Sequence, residues 1–210
     1  MFALMGRYFE DIDRRVFESD LSEKDEVVLI HAGSRLGGFS TMHLREETLD
    51  DRKILVLFSG DTIIDAEFWG TPELQRCFVE RATRAMRESD TPLYWLLICG
   101  GYRTYRYLPL FFREFWPHYQ KPTPPDTQQL IDALARRRFG DSYQDGVVIG
   151  GNGLLREDVS PIDEKQLKNP HIAYFDQTNP DHVKGHELVC LAQVAPGNLT
   201  RVARKIQKGT

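Results

Sequence analysis

The sequence predicts an α/β protein with a mixed, mostly antiparallel sheet flanked by helices. Two continuous apolar runs, residues 54–58 and 93–99, are typical of strands covered on both faces. Residues 72–88 lie between these runs and have helical periodicity. Two shorter strand patterns with a glycine-containing connection precede the first run and indicate a hairpin. We expect residues 1–210 to form a single domain.

The N-terminal part of the chain is predicted to contain one helix and three antiparallel strands. Apolar residues recur at helical spacing over residues 3–18, which predicts an amphipathic helix. Strands are predicted over residues 27–32 and 38–44, joined by the loop at residues 33–37. A third strand begins at Lys53 and continues to Ala66, and successive strands of this kind pair antiparallel most simply.

The third strand is interrupted by Ser59, Gly60 and Asp61. A glycine and two small polar residues inside a strand pattern predict a bulge or a splay, and bulges tend to lie beside functional sites. Thr71 is the predicted N-cap of the next helix, with Pro72 at its first position. A strand that opens in front of a helix N-terminus favours an anionic ligand, because free N–H groups and the helix dipole converge there.

The C-terminal half is predicted to have shorter elements and more loop. Residues 141–170 are expected to be loop-rich, with one short strand at 147–149. The remaining predicted elements are a helix around residues 110–115, a proline-rich segment at 117–125, a helix over residues 126–140, a final strand pair at 172–175 and 188–194, and a basic helix from Asn198.

Composition excludes several classes of protein. A net charge of −4 argues against a nucleic-acid binder, and no apolar run approaches the ~20 residues that a membrane span needs. Three widely spaced cysteines are typical of reduced thiols, so we expect a cytoplasmic protein. No metal site is expected, because His182 and His186 have ligand spacing only in a helix and Gly185 argues against one.

The order helix, three antiparallel strands, helix, strand, helix resembles the GNAT-type N-acyltransferase fold over residues 1–117 and again in the last strands. In that family the strand equivalent to residues 53–66 splays from the one equivalent to residues 93–99. The pantetheine arm of acyl-CoA pairs into the gap, and its pyrophosphate lies on the following helix N-terminus. The resemblance implies acetyl-CoA or another acyl-CoA as cofactor, with residues 118–165 as an insertion relative to the minimal fold.

The segment Phe68-Trp69-Gly70-Thr71-Pro72-Glu73-Leu74 stands where the pyrophosphate loop of the family stands. Only one glycine of that loop is present, and Pro72 lacks an N–H donor. Two arginines after residues 93–99 have guanidinium groups that match phosphate or carboxylate. The resemblance therefore implies that the cofactor-binding residues are Trp69, Gly70, Thr71, Leu74, Arg103 and Arg106.

Three carboxylates are candidates for a general base. Asp61, Asp65 and Glu67 occupy alternate positions, so they are expected to share one face of a strand beside the gap. The resemblance implies that a carboxylate there deprotonates an amine, and partial burial raises a carboxyl pKa toward neutrality. Asp61 is the favoured base because it lies inside an apolar strand; solvated charges on a sheet face are the alternative.

Three tyrosines are candidates for a general acid. Tyr102, Tyr105 and Tyr107 follow the strand where the resembling family places a tyrosine that protonates the departing thiolate. A phenol near its usual pKa of ~10 is a proton donor at neutral pH. Tyr105 is the favoured acid, and packing at the start of a helix is the alternative.

We therefore expect an acyltransferase that moves an acyl group from a CoA-type thioester to an amine of a small molecule or a protein. One alternative is a catalytically silent binding protein of the same fold. Another is an acyltransferase whose donor is an acyl carrier protein, an acidic partner for Arg103, Arg106 and the arginines at 136–138. A small-molecule acceptor is the expected partner, and a homodimer is a further expectation.

Overall fold

The computed structural model describes residues 1–150, 153–156, 159 and 161–208. The elements up to the middle of the chain are α1 (Phe2–Met5), β1 (Phe9–Glu10), α2 (Arg14–Ser22), β2 (Glu26–Ala32), β3 (Arg35–Leu49), β4 (Arg52–Ile64), α3 (Glu73–Glu88) and β5 (Leu93–Cys99). Those that follow are α4 (Tyr102–Tyr105), α5 (Tyr107–Phe111), α6 (Pro125–Phe139), β6 (Tyr143–Gln144), β7 (Val147–Val148), β8 (Leu154–Leu155), α7 (Glu164–Leu167), α8 (Pro170–Thr178), β9 (Glu187–Val194) and α9 (Arg201–Gln207).

Within the described residues, seven strands form one mixed sheet in the order β2-β3-β4-β5-β9-β7-β6. Strands β4 and β5 run parallel, and every other neighbouring pair in this sheet is antiparallel. The prediction of a mixed, mostly antiparallel sheet flanked by helices is therefore confirmed. Strands β1 and β8 pair with each other as a separate small ribbon.

Helices cover both faces of the sheet because its central strands are apolar on both sides. On one face, Leu57 belongs to a core shared with α3, α4, α5, α8 and α9. On the other face, Phe58 belongs to a core shared with Ile131 and Leu134 of α6. A third core joins α1 and α2 to Phe39 and Ile63, so the N-terminal segment covers the outer ends of β3 and β4.

The predicted hairpin and the elements on either side of the central helix are confirmed. Strands β2 and β3 are joined through Gly33, which adopts a left-handed φ of +60°. Helix α3 buries Phe78, Ala82 and Ala85 on one side, as its periodicity predicts. It is followed by β5 with the predicted bounds.

Two element predictions are wrong. Residues 3–18 do not form one helix: Asp11 has a φ of +55° and separates β1 from α2, whose N-cap is Asp13. Residues 172–175 are not a strand but lie inside α8. Asn169 caps this helix by accepting from His171 N–H at 3.0 Å, and Pro170 occupies its first turn. A short apolar run does not by itself distinguish a buried strand from a buried helix.

Other boundaries differ from the predictions. The helix expected around residues 110–115 is replaced by α4 and α5, which begin directly after Gly101. The segment 118–165 contributes a long helix, α6, and extends the sheet with β6 and β7, so it is more ordered than predicted. Of that segment, Gly151, Asn152, Glu157, Asp158 and Ser160 lie outside the described residues. No helix among the described residues has both the length and the apolar character to cross a membrane.

Candidate functional site

A cavity of about 500 Å³ lies where β4 and β5 separate. These strands pair from Leu55 and Leu93 as far as Ser59 and Leu97. Beyond Ser59, β4 continues to Ile64 paired with β3 and with no other strand of the described residues, while β5 continues with β9. The predicted divergence near residues 59–61 is therefore present, and the volume of the resulting gap is in the range of small-molecule sites.

A bulge in β4 marks the point of separation. Met42 pairs with Ser59 and Ser40 pairs with Thr62, so two residues of β4 oppose Thr41 alone. A Cβ on Gly60 would lie 2.9 Å from Thr41 Oγ1, which is too close for any side chain without a shift. The glycine thus allows the bulge to pack against β3, and bulges of this kind re-aim the neighbouring side chains.

Two carboxylates without a bonded partner among the described residues line the inner end of the cavity, Asp61 in the bulge and Glu187 at the start of β9. A third carboxylate, Asp20, also lines the cavity and is bonded to Lys24. A Cβ on Gly100 would lie 3.5 Å from Glu187 Oε1, which places this carboxylate at the end of β5. Burial, together with the charge of Asp20, raises the pKa of Asp61 to about 6. Burial, with the charges of Asp61 and Asp20, raises the pKa of Glu187 to about 8. The charge of Asp61 therefore favours the protonated form of Glu187.

A guanidinium lies in the same part of the cavity. Arg138 stacks on Phe58, with its Cζ 3.7 Å from the ring centroid, and its Nη1 donates to His43 Nε2 at 3.0 Å. Burial and the nearby charge of Arg138 lower the pKa of His43 to about 4, so the imidazole is neutral and accepts this hydrogen bond. Asp20 Oδ1 bonds to Lys24 Nζ at 2.5 Å, whereas the distance from Asp20 Oδ1 to Arg138 Nη2 is 4.0 Å.

The mouth of the cavity is built from four of the predicted cofactor-binding residues. Trp69, Gly70, Arg103 and Arg106 all line it. The Arg103 guanidinium stacks on the Trp69 indole, with its Cζ 4.1 Å from the ring centroid. Gly70 has a φ of +88°, and a Cβ there would meet no atom within 4 Å, so the backbone of this loop is open to a ligand. Two arginines therefore lie at the exposed end of the cavity, whereas the recessed end holds carboxylates together with Arg138.

The other two predicted cofactor-binding residues lie away from the cavity. Leu74 is 4% exposed and packs in the core. Thr71 is not the N-cap: its hydroxyl donates to Phe68 O at 2.8 Å, and Pro72 occupies the cap position. The reason is that the chain turns one residue later than the sequence pattern indicates, so α3 begins at Glu73.

Of the three alternate carboxylates, only Asp61 lines the cavity. Asp65 is buried and bonds to Arg7 and Arg35, and Arg35 also bonds to Glu67. Burial by itself would raise the pKa of Asp65, but hydrogen bonds from Arg35 and from Glu67 N–H outweigh it and lower the pKa. The expected common face is lost because β4 ends at Ile64 and a 3-10 turn follows it.

Tyr105, the predicted acid, is not brought to the cavity. It is fully buried, and its hydroxyl donates to Pro117 O at 2.9 Å. Burial also raises the pKa of Tyr105 above its usual value. Tyr107 does line the cavity, where burial raises its pKa while Arg103 and Gln75 act in the opposite direction. Among the three candidate tyrosines, Tyr107 is thus the one that lines the cavity.

Sequence reasoning missed Glu187 and Arg138. Glu187 directly precedes the apolar run of β9, and a charge at the edge of a buried strand was a signal that could have identified it. Arg138 was grouped with its neighbours as one basic cluster, but the structure separates them: Arg137 bonds to Glu47, while Arg138 enters the cavity. No cluster of three or more potential metal-ligating side chains occurs in the described part of the chain.

Comparison of the sequence with protein-family models and with curated proteins finds no match. What the chain does must therefore be inferred from its own site. That site is a gap between two parallel strands. Arginines lie at its mouth, and the carboxyl groups of Asp61 and Glu187 lie at its inner end.

Proposed function

We propose that this chain is an acyltransferase that moves an acyl group from a CoA-type thioester to an amine. The observation that carries the proposal is the separation of β4 from β5 after Ser59, which opens one cavity between a cationic mouth and two recessed carboxylates. Donor and acceptor require opposite charges in their sites, because the donor carries phosphates and the acceptor an ammonium group. The two ends of this cavity supply both.

The donor fits the outer part of the cavity. From Gly60 to Ile64, β4 has β3 on one side and the gap on the other, so its backbone is available to an extended chain that contains amide groups. Arg103 and Arg106 flank the mouth and match phosphate oxygens. Gln75, in the first turn of α3, also lines this cavity.

The acceptor fits the inner part. Asp61 or Glu187 takes a proton from the ammonium, and the neutral amine attacks the thioester carbonyl carbon. The nitrogen of the tetrahedral intermediate loses its second proton to the other carboxylate. The carbon–sulfur bond then breaks, and the thiolate takes a proton from Tyr107, whose phenolate is reprotonated from solvent. The raised pKa values of the two carboxyl groups place a base close to neutral pH, where deprotonation of an amine is most efficient.

Binding of acetyl-CoA tests the donor assignment directly. At about 100 times its Kd, acetyl-CoA should stabilise the protein by about 2.7 kcal/mol and raise Tm by several degrees. Gly70→Val should abolish this shift, because a side chain there projects into the mouth from a backbone that favours glycine.

Gly33→Val is the matched control, because Gly33 also has a positive φ and no neighbour within 4 Å but lies in the β2–β3 hairpin. It should lower Tm and keep the shift. A parental protein that shows no shift with millimolar acetyl-CoA, and no transfer of its acetyl group to any amine, would contradict the CoA assignment. Transfer from an acyl carrier protein alone would then favour the carrier as donor, and the absence of any transfer would favour a silent binding protein.

A further inference from the structure

The inner end of the cavity holds charged groups that the chain itself does not pair. Asp61 and Glu187 have no hydrogen bond and no ion pair with any residue that the structure describes. The nearest carboxylate to Arg138 is 4.0 Å away and is already bonded to Lys24. Buried charges are normally paired, so two carboxylates without a bonded partner within the described ranges, beside a guanidinium whose Nε is unbonded there and whose carboxylate neighbour is 4.0 Å away, favour a ligand that carries both charges.

We propose that the acyl acceptor is an amino acid, with its ammonium group between Asp61 and Glu187 and its carboxylate on Arg138. The inference deepens the proposed function and rests on it for the reaction. It adds the substrate class: an amine that carries a carboxylate, rather than a simple amine or a polyamine.

Arg138 has the properties of a carboxylate receptor. Its guanidinium is held flat against Phe58 and by His43, which fixes the direction of its remaining N–H groups. Its Nε is buried without a hydrogen-bond partner in the described part of the chain. A planar guanidinium offers two parallel N–H donors to a carboxylate, and a fixed one loses little entropy when it binds.

The two carboxylates have the properties of an ammonium receptor. The charge of Asp61 contributes to the raised pKa of Glu187, so a cation between the two side chains favours the ionised form of Glu187 and forms charge-assisted hydrogen bonds with both. A diamine satisfies this half of the site only. Its second ammonium would lie near Arg138 and Lys24, which both carry positive charge and lie next to Asp20. An amino acid avoids that repulsion.

Matched ligand pairs measure the contribution of the carboxylate. Each of the common α-amino acids is compared by calorimetry and thermal shift with its own amide, which keeps the ammonium and the side chain but removes the negative charge. The best-bound amino acid should bind about tenfold or more tightly than its amide, as expected for a charge-assisted hydrogen bond. Arg138→Gln should reduce this ratio to about one by weakening the amino acid alone.

Arg136→Gln is the matched control, because Arg136 is an exposed arginine of the same helix outside the cavity, and it should keep the full ratio. If Arg138→Gln does not fold, Glu187→Gln provides the second arm: it should weaken the amino acid and its amide by the same factor, because both carry the ammonium.

Three results would overturn the proposal: amides that bind as tightly as the acids, 1,4-diaminobutane binding more tightly than any amino acid, or no binding of any amino acid to the folded protein. The acetyl-CoA shift is recorded on the same samples. Amino-acid binding without that shift contradicts the acyl-transfer proposal and leaves the ligand class standing. The shift without a preference for the acids contradicts the ligand class and leaves acyl transfer standing.

Discussion

The two ends of the cavity are built in different ways. Its mouth comes from two short stretches of chain, with Trp69 and Gly70 in one and Arg103 and Arg106 in the other. Its inner end comes from side chains more than forty positions apart, such as Asp61, Arg138 and Glu187. The mouth is an exposed surface, and its two stretches meet where Arg103 stacks on Trp69. At the inner end, the charge of Asp61 raises the pKa of Glu187, and the charge of Asp20 raises the pKa of both.

This difference separates binding from chemistry. Charges at an exposed mouth are screened by water and salt, so losing one of them weakens the capture of a ligand by a modest factor. Charges at the recessed end interact in a medium of lower polarity, so losing one of them changes the protonation of its neighbours. Variants of the two ends should therefore have different effects. Gly70→Val should change donor binding, whereas variants of the inner end should change turnover and its pH dependence.

The largest effect is expected for Asp61→Asn, which keeps the shape of the side chain and removes the base. If Asp61 accepts the proton, kcat should fall by about 10²–10⁴, while the Tm shift with acetyl-CoA should persist. Steady-state kinetics of thiol release with a working acceptor measure the first quantity, and thermal unfolding measures the second. Asp90→Asn removes an exposed carboxylate elsewhere and should change neither. Parental turnover and an unchanged pH profile in Asp61→Asn would make the carboxylate structural.

The next effect concerns stability and pH. The pKa of Glu187 is raised from 4.5 to about 8 in the folded protein, so the folded state binds a proton that the unfolded state releases. Stability from this group is therefore complete below pH 4.5 and is lost as pH rises through about 8. Glu187→Gln should lack this loss, so its stability relative to the parent should increase from pH 5 to pH 9 in urea unfolding.

Glu88→Gln, an exposed glutamate at the end of α3, is the control and should follow the parental curve. A Glu187→Gln curve parallel to the parent at every pH would mean that Glu187 is well solvated. The inner end would then resemble the mouth, and the contrast between the two ends would not hold.

The sequence predicts the mouth better than the inner end for a physical reason. The break at Ser59, Gly60 and Asp61 is a local conflict between strand periodicity and residue type, and local conflicts are visible in the chain order. The position of Glu187 near Asp61 depends on β9 pairing with β5, and the paired residues are 89 to 101 positions apart in the chain. Spacing within a helix or strand carries no information about such a pairing.

Tyr105 shows the same limit from the opposite side. Tyr105 and Tyr107 are only two positions apart, so their distance from β5 along the chain favours both equally as the general acid. They differ in the structure because α4 ends at Tyr105 and α5 begins at Tyr107, so the two rings point to different surroundings. A one-residue change in where a helix starts is beyond what periodicity resolves.

The smallest effect is therefore expected for Tyr105→Phe. The phenol donates to Pro117 O at a buried position, so removing it leaves that carbonyl unpaired and should lower stability by about 1–3 kcal/mol. Because the hydroxyl does not reach the cavity, kcat and the acetyl-CoA shift should remain at parental values. Chemical denaturation and steady-state kinetics on the same preparation separate the two effects.

Tyr107→Phe is the matched comparison and should lose turnover rather than stability, because its ring lines the cavity. If Tyr105→Phe lost turnover at unchanged stability instead, the proton path would run through the buried face of α4. Tyr105 would then belong to the functional site rather than to the core.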